Sequence, residues 1–250
     1  MIRRKFLAAT GSLIAGLLLA TSAQAAKVYQ VGTDAAYAPF ESQNEKKEIV
    51  GFDVEILKAV AAKAGFEVKF INTPWEGIFA TLNTGERDIV ISAVTITKER
   101  TQSMDFSKPY FEAKQLIAVS QKSKVTKFED LKNVKVGVQT GTTGDEAVQK
   151  LQGKTSSNIK RFESTPLAIK ELQNGGVRAV VADNGVVVNF IANNKNSKLK
   201  LIDDPSFEKE FYGIAVKKGN KELLAKINKG LDAIKKDGTY DKIYKKYFGK

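Results

Sequence analysis

Short apolar runs and longer segments with an apolar stripe take turns along this chain, and their order predicts its elements. Val28 to Thr33 reads as a first strand. Asp34 to Glu41 reads as a loop, in which Pro39 rules out a simple helix. After polar turn residues from Ser42 to Glu48, Gly51-Phe52-Asp53 leads into a helix. Its apolar face is Val54, Leu57, Val60, Ala61 and Ala64, and Gly65 is placed to end it. Glu67 to Ile71 predicts a strand, Thr73 to Glu76 a turn, and Ile78 to Thr84 a short helix stopping at Gly85.

The stretch from Arg87 to Arg100 comes next. Ile89, Val90 and Ile91 form a buried strand that runs out into small and hydroxyl residues, Ser92, Ala93, Thr95 and Thr97. Small side chains let a ligand approach the backbone, and each hydroxyl can donate or accept. Thr97 suits an N-cap, so Lys98-Glu99-Arg100 would open a helix. A strand end, a hydroxyl-lined turn and an arginine at a helix start make a carboxylate pocket. Taken alone, a capped turn with a solvated arginine explains the same residues.

Met104 to Phe111 reads as a crossing segment, after which the strand–helix alternation restarts. Strands are predicted at Lys114–Ser120, Lys135–Gln139, Arg161–Phe162, Ala179–Asp183, Lys200–Ile202 and Gly213–Val216. Helices run through Ala147, Val148 and Leu151, from Pro166 to Asn174, and through Val187, Phe190 and Ile191. The last two carry Leu223 to Ile234 and Ile243 to Tyr247. Such alternation argues for α/β units with largely parallel sheets. Two units joined by two extended segments imply two lobes with a cleft at the carboxyl ends of their strands.

Composition narrows the chemistry. The chain has neither cysteine nor histidine, which excludes disulfides, thiolate metal sites, a cysteine nucleophile and a histidine-dependent serine triad. No clustered spacing supports a calcium site, so no metal and no cofactor are expected. The formal charge is +12, three units of it on Arg3, Arg4 and Lys5. Those three open a segment with an apolar stretch from Phe6 to Ala20 and small residues at Ala23-Gln24-Ala25. It reads as an export signal over residues 1–25, cut before Ala26. The other basic residues are mostly dispersed lysines, a solvated surface rather than a nucleic-acid footprint.

Several motifs in order resemble the family 3 extracellular solute-binding proteins, the amino-acid-binding components of ABC importers. They are Gly51-Phe52-Asp53-Val54-Glu55-Ile56, Ser92 to Arg100, Asp105-Phe106-Ser107-Lys108-Pro109-Tyr110, Gly137 to Thr143, and the terminal Gly238-Thr239-Tyr240 with Tyr244 to Gly249. The resemblance implies a type II periplasmic binding fold. Lobe 1 would be Lys27–Tyr110 plus Gly213–Lys250 and lobe 2 Gln115–Phe207, with hinges at 111–114 and 208–212.

It also implies roles. Arg100 would grip the ligand α-carboxylate, helped by Thr142 and Thr143 as lobe 2 donors. Asp183 would take the α-ammonium, with the Thr95 hydroxyl and a carbonyl of Ser92 or Ala93. Tyr37 and Trp75 would sandwich the ligand side chain, and Asp34 and Gln139 would meet its tip. Two π faces and an acceptor-only aspartate suit a cationic tip. Glutamine-specific members carry a lysine where this chain has Gln139. Arginine, lysine or ornithine is therefore the expected ligand, with glutamine or histidine as alternatives.

The leading reading is thus a monomeric periplasmic carrier that docks on an inner-membrane permease. It is neither a lipoprotein nor an enzyme. The resemblance leaves two others: a dehydratase of prephenate-like acids on the same fold, which Asp183 argues against by repelling an acidic substrate, and a sensory module with the same pocket.

Overall fold

The computed structural model describes residues 27–249, so the export signal read at residues 1–25 lies outside the described residues. The chain first lays down strands β1 (Val28–Thr33), β2 (Ala36–Tyr37), β3 (Glu41–Gln43) and β4 (Ile49–Val50), then helix α1 (Phe52–Ala64). Strand β5 (Glu67–Asn72), helix α2 (Ile78–Thr84), strand β6 (Ile89–Val90), the one-turn helix α3 (Arg100–Ser103) and strand β7 (Met104–Phe106) follow. Strand β8 (Phe111–Ala113) leads into β9 (Gln115–Ser120), β10 (Val136–Gln139), α4 (Thr143–Gln152), β11 (Ile159–Phe162) and α5 (Thr165–Asn174). Then come β12 (Ala179–Asp183), α6 (Asn184–Asn193), β13 (Leu199–Ile202), β14 (Glu210–Tyr212), β15 (Ala215–Lys217), α7 (Lys221–Lys236) and α8 (Thr239–Phe248).

These strands build two five-stranded sheets, β5-β1-β6-β15-β7 and β11-β10-β12-β9-β13. In each, two of the four pairings are parallel and two antiparallel, because one strand, β15 or β9, runs against the other four, so the sheets are mixed where the alternation predicted largely parallel ones. Tertiary return of the chain supplies the antiparallel members, which no local pattern encodes. Met104–Phe106, read as part of a crossing segment, is an edge strand of the first sheet paired with β15. The chain passes between the sheets at β8 and β14, which pair antiparallel through Phe111–Tyr212 and Ala113–Glu210. The segment read as a loop from Asp34 to Glu41 and the polar stretch after it hold a small sheet of β2, β3 and β4 rather than loop and turns alone.

Residues two apart share a face of a strand, and the second sheet uses both faces. Leu116 and Ala118 of β9 pack with Val180 and Ala182 of β12 under α5 and α6. Ile117 and Val119 pack with Ala179 and Val181 on the other face, under α4. In the first sheet α1 and α7 cover one face and α2 the other. Predicted helix ends at Gly65 and Gly85 hold, each glycine capping in the left-handed conformation that its missing Cβ permits. Helix α8 closes the aromatic cluster: the Tyr240 hydroxyl donates to the Tyr110 carbonyl at 2.6 Å, and Phe248 packs on Phe40 and Phe52.

Helices α1 and α7 meet at Gly230, where an added Cβ would lie 2.6 Å from the Val60 carbonyl oxygen and 2.8 Å from a Val60 methyl. In an open helix Gly→Ala stabilises by about 1 kcal/mol. Overpacking costs about 1–3 kcal/mol, and here it involves backbone. Gly230→Ala is therefore expected to lower the melting temperature. A rise would show that the two helices have room to separate.

Candidate functional site

The parallel strands of both sheets point their carboxyl ends at one cavity of about 320 Å³. It is lined by Asp34, Tyr37, Trp75, Ser92, Ala93, Thr95, Arg100, Gln139, Thr142, Thr143 and Asp183. Every residue to which the resemblance gave a binding role lies on its wall. Asp34 follows β1 and Ser92 follows β6, while Gln139 and Asp183 are the last residues of β10 and β12.

Arg100 is placed by the turn before it. Thr97 Oγ1 accepts from the Arg100 N–H at 3.1 Å, as its predicted capping role requires. Arg100 is 9% exposed, and its guanidinium lies over the rings of Trp75 and Phe79 at 5.3 and 5.2 Å. It donates to the Thr95 carbonyl at 3.0 Å and, across the cleft, to the Gly141 carbonyl at 3.2 Å. Burial draws its pKa down. Among the described residues no carboxylate forms a salt bridge with it.

Asp183 is 6% exposed and has no salt-bridged cation among the described residues either. It accepts from the Tyr212 hydroxyl and from Gln115 Nε2, and the Tyr37 hydroxyl lies beside it. Burial and the charge of Glu210 push its pKa up to about 6, against the pull of those donors.

The hydroxyls sort by what they already hold. Thr142 caps α4: its Oγ1 accepts from the Asp145 N–H at 3.2 Å and donates to the Gln139 carbonyl at 2.9 Å. Thr143 Oγ1 and Thr95 Oγ1 both donate to Glu210 Oε2, at 2.8 and 2.7 Å. A hydroxyl has one hydrogen, so the threonine hydroxyls expected to donate to a carboxylate are committed elsewhere. What α4 offers an anion instead is the unpaired backbone N–H of its first turn. Arg161 and the Gly141 N–H brace that turn through Asp145, at 3.0 and 3.1 Å.

A second layer lies under the first lobe's wall. Ser92 Oγ accepts from the Asp34 N–H and donates to Glu41 Oε1, both at 3.0 Å. Asp53 Oδ2 accepts from the Ala93 N–H and the Tyr110 hydroxyl, both at 2.7 Å. The Ala93 bond holds that residue at φ 47°, a left-handed conformation a non-glycine residue rarely adopts, and so aims the turn's backbone. Glu41 and Asp53 are fully buried and adjoin each other. Burial raises both carboxyls, Glu41 well above its usual range and Asp53 to about 6.

Sequence reasoning missed this layer and the Glu210–Gln115 pair. Gln115 had a readable signal, an amide at the head of an apolar strand. Glu210 had none, since Phe207-Glu208-Lys209-Glu210 looks like a solvated charged loop and is covered only because β14 pairs with β8. Among the described residues no group of three or more His, Cys, Asp or Glu could hold a metal ion.

The folded pKa of Asp183 lies above the unfolded value of about 4. Between about pH 4 and 6 the native state thus keeps a proton that the unfolded chain releases, and stability falls as pH rises through that window. Asp183→Asn removes this share. Melting curves of the ligand-free protein from pH 4 to 7 should show a shallower decline in the variant. Parallel curves would mean that Asp183 is not strained by its burial.

Residues 29–250 match the family described as bacterial extracellular solute-binding proteins, family 3. A "Probable histidine-binding protein" of Neisseria gonorrhoeae is 47% identical over 92% of this chain and 87% of its own. The arginine-, lysine-, histidine-binding protein ArtJ of Geobacillus stearothermophilus superposes with a TM-score of 0.86 at 50% identity, covering 90% of this chain and 96% of that one. An ancestral arginine-binding protein bound to glutamine superposes with a TM-score of 0.83 at 45% identity, covering 89% and 98%. All three are named as binding proteins. With a family match over nearly all described residues and close structural neighbours, this two-lobed α/β chain belongs to the bacterial extracellular solute-binding proteins of family 3.

Proposed function

We propose that this protein is the periplasmic binding component of an ABC importer for a polar L-amino acid, with a basic one, arginine, lysine or ornithine, as its principal ligand. The observation that carries this reading is the pair of buried, unpaired and opposite charges, Arg100 and Asp183, on two walls of one cavity. An α-amino acid brings the missing partner for each. Its carboxylate lies against Arg100 and the first-turn N–H groups of α4. Its ammonium donates to Asp183, to the Thr95 oxygen left with lone pairs, and to a carbonyl of Ser92 or Ala93. The same carboxylate at Asp183 repels a prephenate-like acid.

The side chain runs between Tyr37 and Trp75 toward Asp34, whose carboxylate faces a cationic tip. Relatives named for histidine, arginine and lysine support that class. The lobes close on the ligand about β8 and β14, with lobe 1 formed by 27–110 and 213–250, lobe 2 by 115–207, and hinges at 111–114 and 208–212. The chain is exported by the signal at residues 1–25 and carries no cysteine for a lipid anchor. It acts as a monomer that hands its ligand to an inner-membrane permease.

Trp75 is the only tryptophan, so its fluorescence reports binding directly. Basic L-amino acids are expected to change it at micromolar concentration, which corresponds to about −8 kcal/mol. Losing one partner of a buried ion pair costs about 3–5 kcal/mol. Arg100→Ala should therefore weaken binding by at least about a hundredfold while the protein stays folded. Near-normal affinity by calorimetry would remove Arg100 from the site.

A further inference from the structure

The side-chain end of the cavity has a polarity set by a residue outside its wall. Gln139 Oε1 accepts two hydrogen bonds from Thr165, from its backbone N–H at 3.2 Å and from its hydroxyl at 3.0 Å. Thr165 is 1% exposed and begins helix α5. A backbone N–H can only donate, so the atom of Gln139 facing it has to be the carbonyl oxygen. The other end agrees: Gln139 Nε2 lies 3.4 Å from Asp34 Oδ2, and an ionised carboxylate can only accept. The amide is therefore held from both sides in one orientation, its NH₂ toward the cavity and its carbonyl turned away.

This orientation changes what the tip of a ligand meets. Were Gln139 free to turn, it could offer a carbonyl to a guanidinium, and that end would be all acceptor. Held as it is, the end presents one acceptor, Asp34, beside one donor, the Gln139 amide N–H. Asp34 is itself fixed there, its N–H bonded to Ser92 Oγ at 3.0 Å. A guanidinium or ammonium satisfies Asp34 and leaves the second N–H of the amide idle. A tip that carries a carbonyl next to an N–H satisfies both.

We propose that Thr165 is a specificity-determining positioning residue. By locking Gln139 as a donor, it makes the pocket accept uncharged carboxamide and ureido side chains alongside cationic ones. This deepens the reading of the site as an amino-acid receptor and rests on it. The lock is a property of β10 and α5 in the second lobe alone. The donor and acceptor it sets side by side belong to different lobes and meet across the cleft.

The test compares L-arginine with L-citrulline, which has the same length and shape but a urea carbonyl in place of one guanidinium nitrogen, and with L-glutamine. Each is titrated into the full mature protein by calorimetry. The wild type is expected to bind all three. In Thr165→Val the amide keeps one anchor and can turn. Citrulline and glutamine should then lose about fivefold or more relative to arginine, the size of one buried neutral hydrogen bond. Thr165→Ser keeps the hydroxyl and should restore the wild-type ratio. Gln139→Glu, which cannot donate when ionised, should weaken citrulline by a larger factor than arginine. Equal loss of all three ligands in Thr165→Val would overturn the proposal, as would a citrulline-to-arginine ratio unmoved by Gln139→Glu. If the wild type binds arginine but not citrulline or glutamine, this inference fails and the receptor reading stands. If it binds none of the three, both fail.

Discussion

Two opposite charges buried at one cavity without touching each other are the constraint from which the rest of this structure follows. Removing a guanidinium or a carboxylate from water costs several kcal/mol, and a partner normally offsets it. Here the offsets are partial. Arg100 has carbonyls and aromatic faces, and Asp183 has hydroxyl and amide donors. On the proposed reading a zwitterion relieves the remaining deficit, because its two ends carry the missing charges at a fixed separation. Arg100 comes from the first lobe and Asp183 from the second, so the same molecule that neutralises them also ties the lobes together.

The backing layer explains how an unfavourable first layer can be held in place. Glu41 and Asp53 sit under the turn from Ser92 to Ala93, and between them they fix Ser92 Oγ, the Ala93 N–H and, through Ser92, the backbone of Asp34. Glu210 does a related task from the crossing strand, gathering hydroxyls from both lobes on one carboxylate oxygen. Glu41 and Asp53 are themselves costly to bury, and their raised pKa values express that cost. A pocket so arranged trades stability of the empty protein for order around the ligand.

Much of this was legible in the residues. Helix ends fell where glycine could take a left-handed conformation, as at Gly65 and Gly85, because that signal is local. The apolar runs at Leu116–Val119 and Ala179–Ala182 marked buried strands, because both faces of a central strand need apolar side chains. The wall of the cavity was found through motif resemblance as much as through residue chemistry: nothing local to Asp34 or Gln139 says that they meet. What escaped depends on distant chain segments. The antiparallel strand of each sheet, the pairing of β8 with β14 and the partial burial of Glu210 arise only when the chain returns. So does the commitment of the Thr143 hydroxyl to Glu210, which removes the donor expected there, whereas Thr95, committed to the same carboxylate, keeps the acceptor role expected of it.

On the proposed reading the α-carboxylate and α-ammonium, rather than the side chain, supply the energy that closes the molecule. Agmatine keeps the guanidinium and alkyl chain of arginine but lacks the α-carboxylate, so calorimetric titration of both isolates that group. With Arg100 left unneutralised, agmatine should bind at least about a hundredfold more weakly than L-arginine. Affinity within a few fold of arginine would contradict the account and place the source of binding at the aromatic and acidic end of the cavity.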